Sequence, residues 1–107
     1  MRNIFILAGA FLAVTVSSAA FAADTEITQA DQTFSQEAVT LKAGDSINFT
    51  NKDSVTHNIK VLNASGDAED KGLQKPGEVI HEKFDKAGEF KIRCAIHPKM
   101  KMTVTVQ

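Results

Sequence analysis

The sequence predicts an all-β fold, a sandwich or barrel of short strands. Three observations carry that prediction. Apolar residues recur at every second position in several short runs, the period of a half-buried strand. Turn-forming clusters separate the runs: Lys42-Ala43-Gly44-Asp45, Asn51-Lys52-Asp53-Ser54 and Asp85-Lys86-Ala87-Gly88. No segment repeats with the helical period, so the apolar faces must be buried by sheet against sheet.

The chain begins with a short positive start, Met1-Arg2-Asn3, and an almost unbroken apolar run from Ile4 to Val16. Small residues follow, and Ala20-Phe21-Ala22 fits the small-x-small cleavage pattern of an export signal. The apolar run is shorter than a normal transmembrane span, which weighs against an uncleaved anchor. Residues 1–22 therefore read as a cleaved signal peptide, and residues 23–107 as one domain exported to the periplasm or beyond. A domain of about 85 residues has a small core and often leans on a disulfide, a metal or a partner. With a single cysteine, Cys94, no internal disulfide exists. A metal ligand accounts for an exported lone thiol. The 12 Lys and Arg against 13 Asp and Glu imply neither nucleic acid nor an anionic membrane as partner, and a monomer is expected.

Within the domain, Thr25 to Ala30 alternates weakly around Ile27 and reads as an edge strand. Phe34, then Val39 and Leu41, continue the apolar positions. Ile47 and Phe49 alternate with Ser46 and Asn48. Val55, His57, Ile59 and Val61 share one face of the next strand, with Thr56, Asn58 and Lys60 on the other. His57 thus points inward near the strand's start, an uncommon place for a histidine without a partner. Asn63 to Gly77 has no clear periodicity and reads as a long irregular loop. Its acidic run, Asp67 to Asp70, reads as solvated. Alternation resumes from Glu78 to Phe84, with Ile80 and Phe84 on one face and His81 on the other, as a surface histidine. Phe90, Ile92 and Cys94 form an inward row, as do Met102, Val104 and Val106 in the last strand.

Between those two strands lies the most informative stretch, Cys94-Ala95-Ile96-His97-Pro98-Lys99-Met100-Lys101-Met102. Thiolate, imidazole and thioether stand within one short loop. Two histidines, one cysteine and a weak axial methionine are the blue-copper donor set. The loop supplies one histidine, so the second comes from His57 or His81.

These residues resemble the small cupredoxins, the plastocyanin, amicyanin and pseudoazurin group. The resemblance runs from about Phe34 to Gln107 and is carried by Gly44-Asp45, Phe49-Thr50-Asn51, Asp53, His57-Asn58, Ala87-Gly88 and Cys94-x-x-His97-Pro98-x-Met100. It implies a Greek-key β-sandwich holding one type 1 copper ion, with His57, Cys94, His97 and Met100 as ligands. Asn58 is then the residue that ties its strand to the cysteine loop. Two registers are open for the axial ligand. The amicyanin-like spacing selects Met100, and the longer plastocyanin-like spacing selects Met102. Met100 is preferred, because Met102 falls into the inward row of the last strand.

The function so implied is that of a periplasmic carrier of single electrons between redox proteins, not an enzyme. His97 is the port, and Ile96 and Pro98 form a small apolar contact beside it. Copper handling, as a carrier, buffer or resistance protein, is the alternative. The chain lacks the repeated methionine and histidine tracts that flexible copper binders carry.

Overall fold

In the computed structural model, residue 9 and residues 21–107 are described, and every regular element among them is a strand. The expected signal sequence lies almost wholly outside the described residues. Nine strands follow in order: β1 Asp24–Ala30, β2 Thr33–Phe34, β3 Ala38–Leu41, β4 Ser46–Asn51, β5 His57–Leu62, β6 Ala68–Gln74, β7 Val79–Lys83, β8 Gly88–Arg93 and β9 Lys101–Val106. They form two sheets, β2-β1-β4-β7 and β3-β9-β8-β5-β6. The chain changes sheet at β2–β3, β3–β4, β4–β5, β6–β7 and β7–β8, giving the expected Greek-key sandwich. Two pairings are parallel, β1 with β4 and β3 with β9.

The alternating residues meet between the sheets. Ile27, Ile47 and Phe49 from one sheet face Ile59, Ile92 and Val104 from the other, all at 0% exposure. Full burial of each such side chain contributes about 1.5–3 kcal/mol. Phe34 and Phe49 meet edge to face, as do Phe84 and Phe90. Met102, Val104 and Val106 are all buried, so the inward row of the last strand stands as expected.

Four expectations need correction. The segment Asn63–Gly77 is not a long loop, because residues 68–74 form β6 against β5. Its sequence hides this because β6 is an edge strand whose only buried residue is Gln74. The acidic run is accordingly not a free solvated loop. Asp70 stands on β6, opposite Lys60. The first strand is an edge over only part of its length, since the two-residue β2 pairs with Gln29 and Ala30 and leaves Asp24–Ile27 paired to β4 alone. Finally, β5 starts at His57, and Val55 precedes it as an exposed residue rather than a member of the inward row.

Candidate metal centre

The site is built from the ends of strands that the core holds rigid. β5 opens on His57, which is fully buried beside Gln74 of β6. Cys94 follows β8 directly, continues the inward row of Phe90 and Ile92, and is 1% exposed. The loop from Cys94 to Met100 is closed by its own backbone. The Met100 N–H donates to the His97 carbonyl at 2.9 Å, and the Cys94 N–H to the Met100 carbonyl at 3.4 Å. That closure turns His97, which is only half-buried, back over Cys94.

His57, Cys94 and His97 consequently converge, with their donor atoms within 4.8 Å of one another. Cys94 Sγ is 3.9 Å from Nδ1 of His57 and 3.7 Å from Nδ1 of His97, and the two Nδ1 atoms are 3.1 Å apart. The two imidazoles stand edge to face. Nε2 of His57 points the other way and donates to Asp53 Oδ2 at 2.8 Å. A carboxylate only accepts, so with one proton on the ring, Nδ1 of His57 is left as a lone pair. The short contact between the rings then has His97 Nδ1–H donating.

Asn58 locks this arrangement together. Its backbone N–H donates to Cys94 Sγ at 3.3 Å, and its side-chain Oδ1 accepts the Ala95 N–H at 2.9 Å. Its Nδ2 donates to Asp70 Oδ1 at 2.7 Å and to the Gly72 carbonyl at 3.1 Å. A register shift between Asn58 and Lys60, where Gly72 adopts φ +94°, brings those two acceptors round to Asn58. Only glycine adopts that backbone without a penalty. The Gly72 N–H and the Asn58 amide hold the Asp70 carboxyl below the usual carboxylate range. Asn58 belongs to the outward parity of its strand, yet it is 3% exposed because β6 and the cysteine loop close over it.

Met100 is 1% exposed at the loop's end, with its backbone bonded to both Cys94 and His97. Met102 sits two residues into β9 and its strand, opposite Ile92 in the sheet. His81 is exposed on β7 and bonds to Asn48 Oδ1 across the other sheet, away from the cluster.

The structural roles of four residues escape a reading of the sequence. Asp53 looks like a turn residue, and nothing in its neighbours marks it as the partner of His57. Asp70 is masked by the acidic run around it. Gln29 and Gln74 are both fully buried, where the alternation of apolar residues gives no sign of them. Gln74 Nε2 donates to the carbonyls of Phe49 and Glu78 and so pins β6 to the facing sheet next to His57.

The donor set suits one metal in particular. A buried sulfur and two imidazole nitrogens, converging from three sides, are soft and borderline donors of the kind copper takes. The wider comparison agrees. Residues 21–107 match the family model of copper binding proteins of the plastocyanin/azurin family. The chloroplastic plastocyanin of Tetradesmus obliquus is 39% identical over 72 residues, covering 60% of this chain and 50% of that protein. Amicyanin-alpha of Methylorubrum extorquens is 31% identical over 106 residues, covering 95% of this chain and 85% of its own length. The chain spans about half the length of that plastocyanin and of the methylamine utilization protein MauL of Methylophilus methylotrophus. Among solved structures, a purple cupredoxin from Nitrosopumilus maritimus superposes with a TM-score of 0.70 at 24% identity, over 78% of this chain and 100% of its own; that likeness speaks for the fold. The chain belongs to the plastocyanin/azurin family of copper-binding proteins, and its cofactor is copper.

Proposed function

We propose that the protein is a periplasmic carrier of single electrons, exported by removal of residues 1–22. Nδ1 of His57, Sγ of Cys94 and Nδ1 of His97 are its equatorial copper ligands, and Met100 is the weak axial one. The observation that carries this reading is the convergence of the Cys94 sulfur and two Nδ1 atoms where the cysteine loop is knitted to the start of β5. Copper bound there supplies a Cu(II)/Cu(I) couple. The protein's part is to hold the donors still. Asn58 fixes Cys94 to β5, the loop's backbone bonds fix His97, and the core fixes both strands. Reversible voltammetry of the loaded protein tests the reading. Loss of copper to a chelator within seconds, without a reversible wave, instead supports the copper-delivery role.

The axial assignment has its own test. Met100→Leu raises the reduction potential, because a weak donor to copper is lost. The expected change in the Cu(II)/Cu(I) equilibrium is about tenfold, or 59 mV for one electron. Met102→Leu, in the sandwich core, changes packing by less than about 1.5 kcal/mol and leaves the potential in place. Reversed effects establish the longer register.

The surface around the site suits a transient redox partner. Ile96, Val55, Leu73 and Val79 are exposed, and all lie at the end of the sandwich where β4 ends and β5 begins. Beside that end, register places Lys60, Arg93 and Lys101 in one row across β5, β8 and β9. Lys99 stands in the loop above. None of Arg93, Lys99 and Lys101 is ion-paired among the described residues. An acidic partner docks there faster at low salt. Lys99→Glu with Lys101→Glu lowers the second-order transfer rate, most at low ionic strength, and leaves the visible spectrum intact. A rate indifferent to salt and to charge reversal removes both lysines from docking.

A further inference from the structure

Asp53 is held more firmly than a turn residue needs to be. Its Oδ1 accepts the Asp31 N–H at 3.0 Å, and its Oδ2 accepts the Gln32 N–H at 2.8 Å. The same Oδ2 accepts from His57 Nε2 at 2.8 Å. Asp53's own N–H donates to Asn51 Oδ1, and the preceding Lys52 N–H donates to the Gln29 carbonyl. The carboxylate is thus fixed from the turn, from the ring and through its own backbone, with its side chain 15% exposed.

The turn that receives it is unusual. Asp31 and Gln32 join β1 to β2 with φ of 51° and 56°, the only positive values at non-glycine positions among the described residues. Two consecutive left-handed residues form the tight hairpin turn that normally selects Asn-Gly or Gly-Gly. Gln at the second place costs energy that glycine would not. The conformation aims two successive backbone N–H groups at one point, making a small anion cradle. The Gln32 N–H, then the His57 ring, and then the Asp31 N–H hold the Asp53 carboxyl below the usual carboxylate range.

We infer that Asp53, cradled by the Asp31–Gln32 turn, is a positioning residue of the copper centre that aims His57 and lowers the reduction potential. The inference rests on His57 being a copper ligand. The carboxylate fixes the proton on Nε2 and so presents Nδ1 as a lone pair towards Cys94. A neutral acceptor would fix the same tautomer. A carboxylate also raises the basicity of the imidazole and places a negative charge behind it, which favours the more highly charged metal state. The β1–β2 hairpin, on the opposite sheet from β5, becomes part of the centre through this one side chain.

The test uses two substitutions and two readouts. In the metal-free protein, long-range nitrogen–proton NMR of His57 should show a single Nε2–H tautomer. Asp53→Ala should give a mixture of tautomers. In the copper protein, Asp53→Asn keeps the side chain's size and removes its charge. The potential should rise by about 59 mV, a tenfold change in the Cu(II)/Cu(I) equilibrium. Copper affinity should fall 10- to 100-fold, as is typical for partners that orient a metal-bound histidine. Should either variant unfold, adding Gln32→Gly restores the left-handed turn without restoring the charge, and the same readouts apply. An unchanged potential together with an unchanged tautomer overturns the inference. If instead His57→Ala keeps the copper spectrum, the ligand reading itself fails, whatever Asp53 does.

Discussion

Replacing Cys94 with serine abolishes the intense visible absorption of the oxidised copper protein. The colour of a blue-copper centre depends on the thiolate bonded to the metal, and a serine hydroxyl is a hard, neutral donor in its place. The substitution is well posed because the fold should survive it. Serine is close in size to cysteine, and the Asn58 N–H that now meets Cys94 Sγ at 3.3 Å remains available to a hydroxyl oxygen. Stability should fall by about 1–3 kcal/mol, the scale for a buried polar group with an imperfect partner. Circular dichroism should therefore report folded protein while the absorption spectrum reports none of the blue band. A folded, still-blue variant would remove Cys94 from the centre and leave the convergence of His57 and His97 unexplained.

Removing the metal should lower the melting temperature substantially. A ligand that binds only the native state adds RT ln(1 + [L]/Kd), about 4.1 kcal/mol at a thousandfold excess over Kd. For a domain this small, 1 kcal/mol shifts the midpoint by roughly 4–8 °C, so the difference should be on the order of 20 °C. The structure gives a reason to expect a large effect. His57, Asn58, Gln29 and Gln74 are all buried, and they occupy volume that an apolar core would otherwise use. Parallel melts of metal-free and copper-loaded protein measure the shift. Coincident midpoints would mean that the three donors do not converge in the folded chain.

The readable parts of this protein are those where one residue type repeats under one constraint. β8 and β9 were legible because Phe90, Ile92, Cys94 and Met102, Val104, Val106 alternate strictly with charged and hydroxyl residues. The donor loop was legible because its residue types are chemically rare together. β6 was not, since its sequence Ala68–Gln74 is nearly all exposed, and its pairing is supplied by the backbone of β5. A strand of that kind carries no apolar period to detect. Its cross-sheet support, the ion pair of Lys71 with Glu82 at 3.0 Å, joins residues no local pattern connects. The role of Asp53 was hidden for a related reason: Asn-Lys-Asp-Ser satisfies a turn by composition, and its backbone partners Asp31 and Gln32 lie on a distant hairpin.

The pairing of β3 with β9 sets Ala38 beside Thr103 and Leu41 beside Val106. Those partners are about 65 positions apart in sequence, so the chain must close most of its length before this edge of the sheet exists. Pairings of such long range make folding slow, typically milliseconds to seconds for all-β domains, because loop entropy is lost before the contacts form. β9 also anchors the far end of the Cys94–Met100 loop, and β8 its near end. A newly made chain therefore passes through a period in which Cys94 is present as an uncovered thiol. During that period oxidation competes with closure. Docking of the last strand is thus the step that closes the loop over Cys94.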